Sequence, residues 1–135
     1  MEDVGADVHV RAGRVGEGEA LEILATARCV VVPYPRHYGM SRVLVEAAVA
    51  GTPVVAHRFG LVGYLVERHG LGLSADCTSP VEFAGALARL TGDETAPGRY
   101  ADALARFAGR YTPGRFRAAV ATIFRNASSR SSQAR

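Results

Sequence analysis

Two short apolar runs constrain this chain more than any other feature. The first is Cys29-Val30-Val31-Val32, which stops at Pro33; the second is Val54-Val55-Ala56. Neither alternates apolar with polar residues, so each fits a strand covered on both faces, as in a parallel sheet. Parallel strands need a crossover rather than a tight turn, and the residues between the runs supply one. Residues 34–40 have loop composition, with Pro35 and Gly39 among polar neighbours. Ser41 fits an N-cap, and Val43, Leu44, Ala47, Ala48 and Ala50 form an apolar helical face. Gly51 fits the left-handed stop, and Thr52-Pro53 leads into the second strand. The result is a right-handed βαβ unit. Ligands of such sheets sit beyond the carboxyl ends of the strands, which places the loops 34–40 and 57–60 side by side.

The flanking sequence continues the alternation. Residues 7–10 read as a short strand, 11–18 as a glycine-containing loop, and 19–27 as a helix with Ala20, Ile23, Leu24 and Ala27 on one face. A helix begins at Leu61 and ends at Gly70, and Leu71 to Ser74 reads as a fourth strand. Ser79-Pro80 is a strong helix start, with Val81, Ala84, Leu87, Ala88 and Leu90 as the expected apolar side. Residues 91–98 read as a loop. Tyr100, Leu104, Phe107 and Tyr111 mark one further helix, closed near Thr112-Pro113, and Phe116, Val120, Ile123 and Phe124 mark the last. Residues 126–135 are serine-rich and polar, and are expected to be disordered. The fold class is therefore α/β: a parallel sheet of about four strands flanked by helices, with a helical C-terminal extension.

With 135 residues, the chain is the length of one domain. No run approaches the roughly 18 apolar residues of a membrane span. The acidic N-terminus, Met-Glu-Asp-Val-Gly, reads as having no leader peptide. Cys29 and Cys77 are far apart and each borders an apolar segment, so free thiols and a cytoplasmic location are expected. Net charge is +3, and all 16 basic residues are arginine. The charge is uneven: from residue 96 onward the only acid is Asp102. Solvated helix faces are the plainer reading of those arginines, with an anionic membrane surface, such as the inner membrane face, or nucleic acid as alternatives. Nucleic acid is not the expected partner, because no aromatic platform is interleaved with the arginines.

Chemistry concentrates at the first crossover. A helix starting at the mouth of a parallel sheet presents unpaired N–H groups and a partial positive charge, which suits phosphate. That mouth is Gly39-Met40-Ser41, with Arg36, His37 and Arg42 around it and His57 and Arg58 on the neighbouring loop. Such a set suits a diphosphate. Glu46 lies more than one turn into the helix, within an otherwise apolar segment. A carboxylate there is costly to bury without partners, and a ligand hydroxyl or a position at the cleft would resolve that cost. His9 and His69 lie outside this set and read as structural. There is no Gly-rich dinucleotide fingerprint, Walker loop, metal-ligand spacing or nucleophile elbow, so no metal, cofactor or catalytic residue is assigned.

Residues 24–90 resemble the C-terminal half of the nucleotide-binding domain of family 4 (group 1) glycosyltransferases, retaining enzymes of the GT-B fold. The resemblance rests on Val32-Pro33, then Gly39, then Val43-Leu44-Val45-Glu46-Ala47-Ala48-Val49-Ala50-Gly51, then Thr52-Pro53-Val54-Val55. It implies that residues 1–125 are one truncated Rossmann-like nucleotide-sugar-binding domain. It implies hexosyl transfer from a UDP- or GDP-linked donor to a sugar or lipid-linked glycan acceptor. Glu46 would hold the donor ribose, the backbone from Gly39 through Met40, Ser41 and Arg42 to Val43 would meet the diphosphate, and the loop 57–60 would face the donor. The family usually places a second glutamate where this chain has Tyr38, which can still hydrogen-bond a donor-sugar hydroxyl but carries no charge at neutral pH.

A complete enzyme of this kind also has an acceptor domain and, ahead of the strand at 7–10, two more strands. Without them the expectation is a fragment inactive alone. The segment 7–10 would then lie loose, pair differently, or be completed by another chain. The edge of strand 29–32 would be open to self-association or a partner chain. The alternative function is a non-catalytic module that binds a nucleotide or diphosphate, or another protein.

Overall fold

A computed structural model describes the backbone of residues 7–133, and side-chain environments as far as residue 125. The elements run α1 (Glu17–Thr26), β1 (Val30–Val32), α2 (Arg42–Ala50), β2 (Val54–His57), α3 (Leu61–His69), β3 (Gly72–Ala75), α4 (Pro80–Thr91), α5 (Ala96–Ala108) and α6 (Pro113–Gln133). The three strands form a parallel sheet in the order β1-β2-β3, with Val30 opposite Val54 and Val54 opposite Gly72. The α/β class with a parallel sheet expected from the two apolar runs, and the partial Rossmann-like form implied by the resemblance, are the observed ones.

The crossover elements start and stop for the reasons the sequence supplies. Gly51 and Gly70 both adopt the left-handed conformation, with φ of 73° and 63°, and their N–H groups return to carbonyls of the last helical turn. Ser79 accepts a hydrogen bond from the Glu82 N–H, and Pro80 occupies the first turn of α4. Every residue of β2 is buried, as a central parallel strand requires.

The core has two layers, one on each face of the sheet. Val32, Val54 and Ala56 face Leu44, Ala47, Val66, Leu104 and Phe107 of α2, α3 and α5, all at most 1% exposed. On the opposite face Val55 and Ala75 meet Ala86, Leu90 and Ala96, with Phe83, Leu87 and Tyr100 packed around them. Fully burying each large apolar side chain contributes about 1.5–3 kcal/mol. The alanines at 47 and 48 let α2 lie close against the sheet. Outside α2 sits α1, whose C-terminal Leu24 carbonyl accepts a 2.7 Å hydrogen bond from the Thr52 hydroxyl.

Four expectations are corrected. Residues 7–10 form no strand: they are exposed and unpaired, with Val8 74% and Val10 88% accessible, so among the described residues the sheet has three strands. An isolated extended segment has no ladder to satisfy its backbone, and water does so instead. Residues 96–98, expected in a loop, open α5, because a proline in the first helical turn costs no hydrogen bond. The apolar side of α4 is rotated: Val81 is 83% exposed, Ala84 and Ala88 are also exposed, and Phe83 and Ala86 turn inward with Leu87 and Leu90. Likewise Ile23 of α1 is 48% exposed, while Leu24 packs on the core. Beyond these, α6 runs to Gln133 with no glycine or proline after Gly114; residues 134–135 lie outside the described residues.

Candidate functional site

β1 and β2 end side by side, and each hands the chain to a loop and then a helix. The first loop, 33–39, is exposed throughout; Arg36 and Tyr38 stand in it, and Tyr38 is 85% accessible. Pro33, Tyr34, Pro35, Arg36 and His37 line a shallow recess, with the Tyr34 and His37 rings edge-to-face at 5.5 Å. The second loop, 58–60, ends on Gly60 at φ 91°, a conformation that strongly favours glycine. A Cβ added at Gly60 would stand 2.9 Å from the His37 carbonyl oxygen. The two loops therefore touch, as the βαβ argument requires.

α2 and α3 both begin at this junction. Ser41 and Gly60 hold the N-cap positions, and neither supplies a side-chain capping hydrogen bond, in contrast to Ser79 at α4. Ser41 is buried, Met40 and Val43 are partly buried against the core, and Gly39 lies on the open loop. The amides of the first turn of α2 thus face the loop junction with no Ser41 cap, the arrangement that receives anions at helix N-termini.

The charged groups are less free than their spacing suggests. Arg42 donates from Nε to Glu46 at 2.7 Å and from Nη2 to Glu17 of α1 at 3.2 Å. The hydrogen bond and charge of Glu46, then the charge of Glu17, raise the Arg42 pKa further. Glu46 keeps a side-chain exposure of 23%, so its carboxylate is compensated by Arg42 one turn earlier rather than only by a ligand hydroxyl. Arg58 pairs with Glu82 of α4. His57 is buried, and its Nδ1 accepts a 3.1 Å hydrogen bond from the Cys77 N–H. An accepting Nδ1 is unprotonated, so the 3.8 Å approach of Asp76 to that nitrogen is not an ion pair in this arrangement. Of the five groups expected to meet a diphosphate, Arg36 and His37 remain exposed on the loop, Arg42 and Arg58 are shared with carboxylates, and His57 anchors the 75–78 turn.

Sequence reasoning missed two neighbours. Glu17 and Arg14 border a recess with Arg42, beyond the near side of α2. Glu17 falls in the stretch read as a loop, 11–18, yet it opens α1 and accepts from Arg42. Asp76 sits at the tip of β3, where the Thr78 hydroxyl and N–H donate to its carboxylate and hold its pKa below the ordinary value. Among the described residues no group of three or more His, Cys, Asp or Glu side chains is placed to hold a metal. Cys29 and Cys77 are free and half-buried, and burial raises both thiol pKa values. No helix among the described residues is long and apolar enough to cross a membrane.

Compared with known proteins, the chain matches the family described as "Glycosyl transferases group 1" over residues 3–93. That span includes β1, β2, β3 and the junction of their loops. The comparisons with curated proteins and with solved structures return no match.

Proposed function

The chain belongs to the group 1 glycosyltransferases, and from that premise we propose that it binds a nucleotide-sugar donor at the joined tips of β1 and β2. The observation that carries the reading is the contact between the two loops, where α2 and α3 both start without a side-chain cap. A diphosphate there takes hydrogen bonds from the amides between Gly39 and Val43, with Arg36 and His37 closing over it from the exposed loop. Glu46 accepts from the ribose hydroxyls. Arg42, already bonded to Glu46, holds that carboxylate in place and shifts its other contact from Glu17 to phosphate. Tyr38 offers a neutral hydroxyl to the donor sugar, and 57–60 forms the far rim.

In this reading residues 1–125 supply donor binding. Hexosyl transfer takes place only when acceptor-binding residues outside them close over the donor. The donor is UDP- or GDP-linked, and no residue here is assigned to bond making or breaking. Thermal unfolding in the presence of UDP and of GDP tests the site. A nucleotide at a hundred times its Kd stabilises by about 2.7 kcal/mol, and Glu46→Ala should abolish the shift. The absence of a shift with either nucleotide would refute the site, as would a shift of equal size in Glu46→Ala.

A second reading rests on the open edge of β1, which among the described residues pairs with β2 alone and exposes 37% of Val31. There the module pairs with another protein, and a melting temperature that rises with protein concentration and ignores nucleotide would favour it.

A further inference from the structure

From residue 23 to residue 66 the chain carries one acid, Glu46. That stretch supplies both loops at the joined tips of β1 and β2, and Glu46 is already bonded to Arg42. Neither loop therefore has a carboxylate of its own. The first loop offers Arg36 and His37 between Tyr34 and Tyr38, all four exposed. Arg36 has no hydrogen-bond or ion-pair partner among the described residues, unlike Arg42 and Arg58.

This composition bears on the sugar. A neutral hexose presents hydroxyl protons, which need acceptors. A guanidinium has five N–H donors and no acceptor, so beside a neutral sugar it leaves those protons to water. A carboxylate carried by the sugar instead takes two parallel N–H bonds from the guanidinium fork, each roughly twice as strong as a neutral one. One arginine balances one such charge, whereas a phosphate ester would bring nearly two.

Shape agrees with charge. Pro33 to His37 line a recess of about 500 Å³, within the size range of small-ligand sites. The Tyr34 ring, 40% exposed, is held edge-to-face against His37 at 5.5 Å. The pair forms an aromatic wall against which the C–H face of a pyranose can rest, with Arg36 beside it. The recess lies on the loop that leads from β1 to the first amides of α2. A diphosphate met by those amides and by Arg42 leaves charge to spare at Arg36.

We propose that the donor sugar is a hexuronic acid. Its carboxylate pairs with Arg36, its ring rests against Tyr34 and His37, and Tyr38 shares a hydrogen bond with a ring hydroxyl. This assignment rests on the donor reading above and narrows it.

Calorimetric titration of the full chain with UDP, UDP-glucose and UDP-glucuronate, and with GDP, GDP-mannose and GDP-mannuronate, tests it. For the base that the chain accepts, the uronate is expected to bind roughly tenfold tighter than the neutral sugar. That advantage should shrink as salt rises. Arg36→Gln should bring the ratio to about one, whatever it does to the nucleotide alone, and Arg36→Lys should restore part of it. Tyr34→Ala should weaken both sugars and leave the ratio in place. A parent ratio of one or below, with UDP or GDP still binding, would overturn the uronate and leave the donor site standing. A ratio unchanged in Arg36→Gln would do the same. No binding of any of the six compounds would overturn both. Binding of methyl glucuronoside to the nucleotide-saturated chain, with no preference among the donors, would move the uronate to the acceptor and overturn the donor assignment.

Discussion

Gly63 separates an argument from propensity from an argument from packing. It lies in α3, where alanine is worth up to about 1 kcal/mol more than glycine in a helix interior. Its helical backbone is not strained. A Cβ at this position, however, would stand 2.3 Å from the Arg58 carbonyl oxygen and 2.4 Å from that of His57. Both oxygens are backbone atoms at the exit of β2, so no side chain can rotate away; α3 must withdraw by roughly 1 Å to restore contact distance. Overpacking of this kind costs about 1–3 kcal/mol. Set against the propensity gain, Gly63→Ala should be destabilised by up to about 2 kcal/mol, lowering Tm by several degrees in a domain of this size. Gly85, inside α4, is the control, because a Cβ there has open space around it. Gly85→Ala should be neutral or stabilised by up to about 1 kcal/mol. Urea unfolding of both variants measures the difference. The packing argument fails if Gly63→Ala proves as stable as Gly85→Ala.

Two further outcomes follow from the tip of β3 and from the thiols. The Asp76 pKa is depressed first by the Thr78 hydroxyl, then by the Thr78 N–H, with the Arg58 charge adding to the effect. A carboxylate depressed in this way stabilises the fold fully above its ordinary range and ceases to do so as pH falls through its folded value. Asp76→Asn should therefore be less stable than the parent at neutral pH, and the two urea midpoints should converge below about pH 4. Burial of Cys29 and Cys77 should make alkylation by iodoacetamide slow at neutral pH and markedly faster in urea; equal rates folded and unfolded would contradict their placement.

The βαβ unit was legible because several independent signals coincide within it. Unbroken valine runs, a glycine at the left-handed stop and a proline before the second strand all point to one structure. The segment 7–10 carried only its alternation, and alternation without a neighbouring strand does not make a sheet. The rotation of α4 was hidden because alanines at 84 and 88 fit either side of a helix, whereas Phe83 anchors one. At the site, the position of the loops followed from topology alone. Which cations stay free did not, because the partners of Arg42 and Arg58 come from α1 and α4, far away in the chain. Spacing along one element says nothing about carboxylates arriving from another.

The sheet contains no hairpin: Val30 waits for Val54, and Val54 for Gly72, with a whole helix intervening each time. No two strands can zip from a turn, so each pairing has to close a long loop before any ladder bond rewards it, and formation is slow for the chain's size. During that interval β1 displays three consecutive valines with neither neighbour in place. A ribosome-bound chain whose β2 is still being synthesised therefore carries an unpaired apolar strand, the kind of exposed edge that invites association before folding is complete.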